Sequence, residues 1–228
     1  MKPVTLAALM DTVTLLGRAE LFRFFDDGSL ADLAAHSIPI RYGRNEIVFT
    51  EGATADRLYV VRDGRIAIAK RAFDGRESVV ALMEEGDLFG EMPLFDGQPR
   101  TAEARSLEPT EMVIVPYPAV RDVLEKAPGL LWGVVELLSN RLRQTDSALA
   151  DSMFLDVTGR TAKRLLELAG GADEFILPVT QEELAGMVGA SRERVNKALS
   201  AFIRLGWLDQ VDRRYRIIDR PQLAQRAM

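Results

Sequence analysis

The sequence predicts an α+β protein built in three successive parts. These are a body of short antiparallel strands closed as a sandwich or barrel, one long helix, and a small C-terminal helix-turn-helix module with a hairpin. Three observations carry this. Glycines at 43, 52, 64, 75, 86 and 97 end or interrupt short apolar runs at intervals of 9–12 residues, the rhythm of strands joined by tight turns. A seven-residue apolar period runs from Leu131 to Ser152. Small and apolar residues then stand at helix-turn-helix spacing from Thr180 onward.

Taken in order, "VTLAALMDTVTLLG" and "GSLADLAAH" place apolar residues at helical spacing, so the first 36 residues read as short helices. From Ile38 to about Val115 the texture changes to "IPIRYG", "EIVFTEG", "RLYVVRDG", "RIAIAKRAFDG", "SVVALMEEG" and "TEMVIVPY". Asp-Gly occurs three times in this stretch, at 63–64, 74–75 and 96–97, and is a strong hairpin signal. "PAVRDVLEKAP" is a short helix stopped near Pro128. Beyond it, Leu131, Val135, Leu138, Leu142, Thr145, Leu149 and Ser152 fall at spacings 4-3-4-3-4-3. A strict 3.5 period is the seam of a coiled coil, so this helix is expected to pair with a second copy of itself. The bland alternative is a helix lying on its own domain.

After "FLDVTGR", the stretch "GRTAKRLLELAG" is an amphipathic helix ended by Gly170-Gly171, and "EFILPV" is a short strand. Thr180 and Glu183 make a capping box. Ala185, Gly189 and Val195 occupy relative positions 5, 9 and 15 of a helix-turn-helix: a close crossing, the turn, and a core anchor. Ser191 is placed to cap the second helix. "GWL" and a two-stranded hairpin follow, completing the pattern of a winged DNA reader.

Composition narrows the chemistry. With 228 residues, 47% hydrophobic and 28% charged, the chain has the make-up of an ordinary one- or two-domain globular protein. It has no cysteine and a single histidine, which excludes disulfides, iron–sulfur clusters and Cys/His zinc sites, and leaves no basis for a Ser-His-Asp triad. His36 is expected at a helix end rather than in a catalytic role. No apolar run long enough for a membrane span appears, nor a basic leader followed by an apolar core; the expected compartment is the bacterial-type cytoplasm. Net charge is −5, unevenly shared: from Asp156 onward 12 basic and 10 acidic residues give +2, and the preceding part carries −7. A mildly positive module on an acidic body suits a small nucleic-acid reader.

One loop stands out. "FGEMPLFDGQPRTA", residues 89–102, sets Glu91 and Arg100 around a short apolar turn rich in Gly and Pro. With "LDVTGR" and "GASRERVNKAL", in that order, it resembles the cyclic-AMP receptor (catabolite activator) branch of the family that also includes the fumarate–nitrate regulators. The resemblance covers nearly the whole chain. It implies a double-stranded β-helix, a jelly-roll-like β-roll, for the cyclic-nucleotide-binding domain at 1–128, a dimerisation helix at 129–155 and a winged helix-turn-helix DNA-binding domain at 156–228, with a hinge around Asp156–Arg160.

It also implies roles. The loop would be the phosphate-binding cassette: Gly90, Glu91, Met92, Arg100, Thr101 and Ala102 would line cyclic AMP. Arg100 would fork onto the phosphate, with Thr101 adding a hydroxyl, and Glu91 would accept the ribose 2′-OH. Val80 and Met83 would line the base pocket, and Thr145 and Asp146 would meet the adenine. A carboxylate at 146 departs from the more usual Ser or Asn; it accepts from an adenine N6 amine and repels a guanine O6, or it pairs with Arg141 or Arg143. Arg192, Glu193 and Lys197 would read base edges while Ser191 and Arg194 approach phosphates. Leu131, Val135, Leu138, Leu142 and Leu149 would form the dimer seam. The partners implied are double-stranded DNA carrying inverted repeats of a TGTGA-like half-site, a second copy of the chain, and RNA polymerase; no metal and no membrane are expected. Two rivals are a DNA reader with a different effector or none, and the regulatory part of an enzyme, for which no catalytic segment is left over.

Overall fold

The computed structural model describes residues 6–71 and 77–228, and side chains from residue 9. The beginning of the first expected helix and the Asp74-Gly75 turn lie outside the described residues. The chain divides into two units: residues 1–70 with 81–142, and residues 71–80 with 143–228.

In the first unit, helices α1 (Leu6–Arg18) and α2 (Asp27–His36) precede the strands. Asp26 caps α2, its carboxylate accepting from Ser29 N at 2.7 Å. His36 sits in the last turn of α2 with Nδ1 2.8 Å from Asp32 O, at a helix end as expected. The strands are β1 (Ile38–Tyr42), β2 (Ile47–Phe49), β3 (Arg57–Asp63), β4 (Ile66–Arg71), β5 (Glu77–Met83), β6 (Leu88–Phe89), β7 (Glu103–Ser106) and β8 (Thr110–Pro116), of which Arg71 and Glu77–Val80 fall to the second unit. They form two four-stranded sheets, ordered β1-β8-β3-β6 and β2-β7-β4-β5.

Two apolar layers explain the near-continuous hydrophobic runs of β3 and β8. Leu58, Val60, Val113 and Val115 face a cluster shared with α1, α2 and the helix α4 (Tyr117–Lys126). Tyr59, Val61, Met112 and Ile114 face the interior of the roll with Ile66, Phe89 and Ala104. A strand buried on both faces loses its polar alternation. Gly64 shows why a turn glycine is needed: φ is +87° and a Cβ there would lie 2.6 Å from Pro109 O.

Three elements of this unit carry little sequence signal. Strand β6 has two residues, β7 reads "EARS", and helix α3 (Met92–Asp96) is a single short turn of helix. The long helix is α5 (Leu131–Phe154); Gly133, Val134 and Leu137 are its buried residues.

In the second unit, α6 (Val157–Ala169) begins two residues before the expected start because Asp156 caps it, accepting from Gly159 N at 2.8 Å. Helix α7 (Gln181–Val188) opens on the Thr180–Glu183 capping box, with both reciprocal bonds formed. Gly189 turns the chain at φ +67°, and α8 (Arg192–Arg204) starts from its Ser191 cap. Val195, Ala185, Leu199 and Phe202 are buried, so the expected helix-turn-helix anchors hold the core. The wing is the expected two-stranded hairpin of β10 (Leu208–Val211) and β11 (Arg214–Ile217), enlarged by one strand. Strand β9 (Glu174–Ile176) pairs with β11 beside β10, giving a three-stranded sheet ordered β10-β11-β9, a pairing the sequence reading did not foresee. Phe175 stacks on Tyr215 across that pairing, ring centroids 5.8 Å apart. A last helix, α9 (Arg220–Arg226), buries Leu223 and pairs Arg226 with Asp156.

Candidate functional site

The loop after β6 is shaped by two backbone positions. Gly90 has φ +77°, and a Cβ on it would approach Arg100 Nη1 to 2.5 Å, so only glycine fits beside that guanidinium. Gly97 ends α3 in the left-handed region. The return limb is pinned to the chain after β2, Arg100 N donating to Ala53 O at 2.9 Å and Gly52 N to Arg100 O at 2.8 Å.

Arg100 is only 4% exposed. Its Nη1 donates to Gly90 O at 2.6 Å and to the Tyr117 hydroxyl at 3.1 Å; Nη2 donates to Arg57 O at 2.7 Å. The guanidinium carbon lies 4.1 Å from the centre of the Phe49 ring, a cation–π contact in a desolvated setting. Its Nε–H is buried without a partner. Burial pushes Tyr117 up to about 12, against the pull of Arg100, so its hydroxyl keeps its proton and donates to Gly90 O. Thr101 is exposed and Met92 is near it, Oγ1 to Sδ 3.8 Å; Ala102 is buried.

Glu91 is fully buried. Oε1 accepts from Arg141 Nη1 at 2.6 Å, and Oε2 has no partner. Burial raises the carboxyl above its usual range while Arg141 acts in the opposite direction. Arg141 also donates to Leu88 O at 2.9 Å. The sequence reading offered Arg141 only as a partner for Asp146; the structure turns it to Glu91 instead. Its signal was present: Val134, Leu137 and Arg141 continue one face of α5 at spacings 3 and 4, and a cation that extends a buried stripe has something to pair with.

Gly90, Glu91, Met92, Arg100, Thr101 and Ala102 are thus brought together in the first unit, where Met83 packs half-buried against the roll's interior cluster. Val80, Thr145 and Asp146 belong to the second unit, and all three are exposed. Among the described residues no group of three His, Cys, Asp or Glu is arranged to hold a metal ion, and no helix is long and apolar enough to cross a membrane.

On α8 and its cap, Ser191, Arg192, Glu193, Arg194 and Lys197 are exposed, with Glu193 and Lys197 on the face opposite the buried Val195 and Leu199. Ser191 Oγ accepts from Arg194 N, so it serves the helix as its cap. Glu193 and Lys197 pair across one turn at 2.8 Å, which holds the Glu193 carboxyl below its usual range. Fully exposed pairs of this kind are weak, so both side chains are available to a partner. Three cations and one anion thus stand on the surface of the first two turns of α8, groups with the hydrogen-bonding capacity to read major-groove base edges.

The seam residues Leu131, Val135, Leu138, Leu142 and Leu149 are between 43% and 62% exposed. They share one stripe, while Val134 and Leu137 bury the neighbouring face. Trp132, Met153 and Phe154 add further exposed apolar surface on the same helix. A monomer seldom leaves so much contiguous apolar surface in water.

Comparison with known proteins matches residues 39–127 to the cyclic nucleotide-binding domain and residues 159–226 to the Crp-like helix-turn-helix domain. A "CRP-like cAMP-activated global transcriptional regulator" of Mycobacterium tuberculosis is 39% identical over 93% of this chain and 98% of its own. Among solved structures, the c-di-GMP responsive global regulator CLP of Xanthomonas campestris is 29% identical, covering 84% of this chain and 99% of its own at TM-score 0.73. FixK2 of Bradyrhizobium japonicum shares the fold at TM-score 0.77, with 21% identity over 84% of this chain and 98% of its own.

Proposed function

The chain belongs to the CRP/FNR family of transcription regulators, and from that premise we propose that it is a homodimer that binds cyclic AMP and, so loaded, binds palindromic operators in the cytoplasm, where it meets RNA polymerase. One observation carries the effector reading. A single loop buries one carboxylate with an unfilled acceptor, Glu91 Oε2, and one guanidinium with an unfilled donor, Arg100 Nε–H. Buried polar atoms are rarely left without partners. A cyclic nucleotide supplies both complements at once, a phosphate anion for the donor and a ribose 2′-OH for the acceptor.

The coupling follows from Arg141. It stands on α5 and already holds Glu91. A ribose hydroxyl on Oε2 therefore reports to the helix that the seam residues line. By biasing one arrangement of that helix, the effector shifts an equilibrium that DNA reads through α8. Asp146 would accept from the adenine amine and repel the guanine carbonyl. On DNA, Arg192 would address a guanine and Glu193 a neighbouring cytosine, with Lys197 a third contact and Arg194 on phosphate.

The effector is open to direct test, and the c-di-GMP response in the name of the Xanthomonas relative sets the competitor. Titration calorimetry with cyclic AMP, cyclic GMP, c-di-GMP and adenosine is expected to show saturable cyclic AMP binding and no adenosine binding. Tighter binding of c-di-GMP than of cyclic AMP would overturn the proposed effector.

A further inference from the structure

Arg100 is held more firmly than phosphate binding alone requires. Tyr117 sits at the start of α4, 4% exposed, within the cluster that packs α1, α2 and α4 on the roll. Its hydroxyl accepts from Arg100 Nη1 at 3.1 Å and donates to Gly90 O, which also accepts from Nη1. Arg57 O takes Nη2 at 2.7 Å. Three neighbours therefore fix the guanidinium in its plane, and Nε is the one nitrogen left with no partner.

We propose that Tyr117 is a positioning residue for phosphate recognition: with Gly90 O it takes both N–H groups of Nη1, so that Arg100 turns one fixed edge, the Nε–H and the Nη2–H left over by Arg57 O, toward one of the effector's two non-bridging phosphate oxygens and not the other. This rests on the cyclic-nucleotide reading above. A freely rotating guanidinium meets either oxygen; one locked at Nη1 and Nη2 meets one. The site then distinguishes the two oxygens of a cyclic phosphate, which are chemically alike and differ only in direction.

The two diastereomers of adenosine 3′,5′-cyclic phosphorothioate test this, since each replaces one non-bridging oxygen by sulfur, a weaker acceptor. Tyr117→Phe keeps the ring in its apolar setting and leaves Gly90 O still accepting from Nη1, so the protein is expected to fold, with a melting temperature close to wild type. Wild type is expected to bind one diastereomer at least about tenfold more tightly than the other, and Tyr117→Phe, which frees one Nη1–H while Gly90 O and Arg57 O still hold the fork, to lower that ratio at least about threefold. A wild-type preference that survives unchanged in Tyr117→Phe overturns the role, as does a wild type that binds both diastereomers equally. A wild type that binds neither the diastereomers nor cyclic AMP overturns the cyclic-nucleotide reading itself, and this inference with it.

Discussion

Glu91 and Arg100 are charged side chains that a short loop removes from water, and each keeps one polar atom unfilled. Arg100→Leu is expected to abolish most cyclic AMP binding, a loss of about 2–5 kcal/mol. It also leaves Arg57 O without its donor, so some stability goes with it; near-wild-type affinity in calorimetry would contradict the cassette. Asp146→Asn is expected to keep cyclic AMP affinity and relax discrimination against cyclic GMP, measured as the ratio of the two dissociation constants. Asp156 is a stability residue. Its carboxyl is held below the usual range by the Gly159 N–H and by Arg226. A depressed folded-state pKa contributes stability above the ordinary carboxylate pKa of about 3.9, lost as pH falls through the lower folded value. Asp156→Ala is expected to cost about 1 kcal/mol near neutrality and to narrow towards wild type in acid, as followed by thermal unfolding across pH. At this scale the sequence exposed the residues within one motif. Arg141 and Tyr117 reach the loop from elements 50 and 27 residues away in the chain; Arg141 left a trace as a cation continuing the buried stripe of α5, and Tyr117 left none.

Among the elements, α5 carries two faces: Gly133, Val134 and Leu137 are buried, and the seam that starts at Leu131 is exposed. Leu138→Glu would set a carboxylate against its own copy across a two-fold seam. Sedimentation is expected to show monomers, and specific DNA binding to be lost with them; an intact dimer would contradict the seam. On α8, Arg192→Ala is expected to weaken specific DNA binding by roughly 1–3 kcal/mol. Glu193→Ala is expected to relax preference at one base pair, because the carboxylate acts by exclusion as well as attraction. Selection from a random DNA pool reads both. Glycine spacing and the heptad made six strands, α4 and α5 legible in the sequence. Strand β6, at two residues, and β7, "EARS", have no pattern long enough to show a period. Strand β9 was read as a strand but not as a partner of the wing, since pairing across the 37 residues between Ile176 and Arg214 leaves no local trace.

For the whole molecule, the uneven charge becomes intelligible as a division of labour: the basic excess after Asp156 accompanies the DNA-reading module, and the acidic body holds the effector loop. The contact from Glu91 through Arg141 into α5 would, on the proposed function, link the effector to the dimer helix without requiring any residue to touch both ligands. On the proposed function, cyclic AMP and DNA bind with a coupling free energy. The direct measurement is a titration of a palindromic operator with the full-length protein, with and without saturating cyclic AMP, at one fixed salt concentration. Cyclic AMP is expected to tighten binding by a factor within the roughly 5–150 typical of allosteric coupling, and Arg100→Leu to bind with the weaker affinity in both conditions. Equal affinity with and without cyclic AMP for the wild-type protein would contradict it.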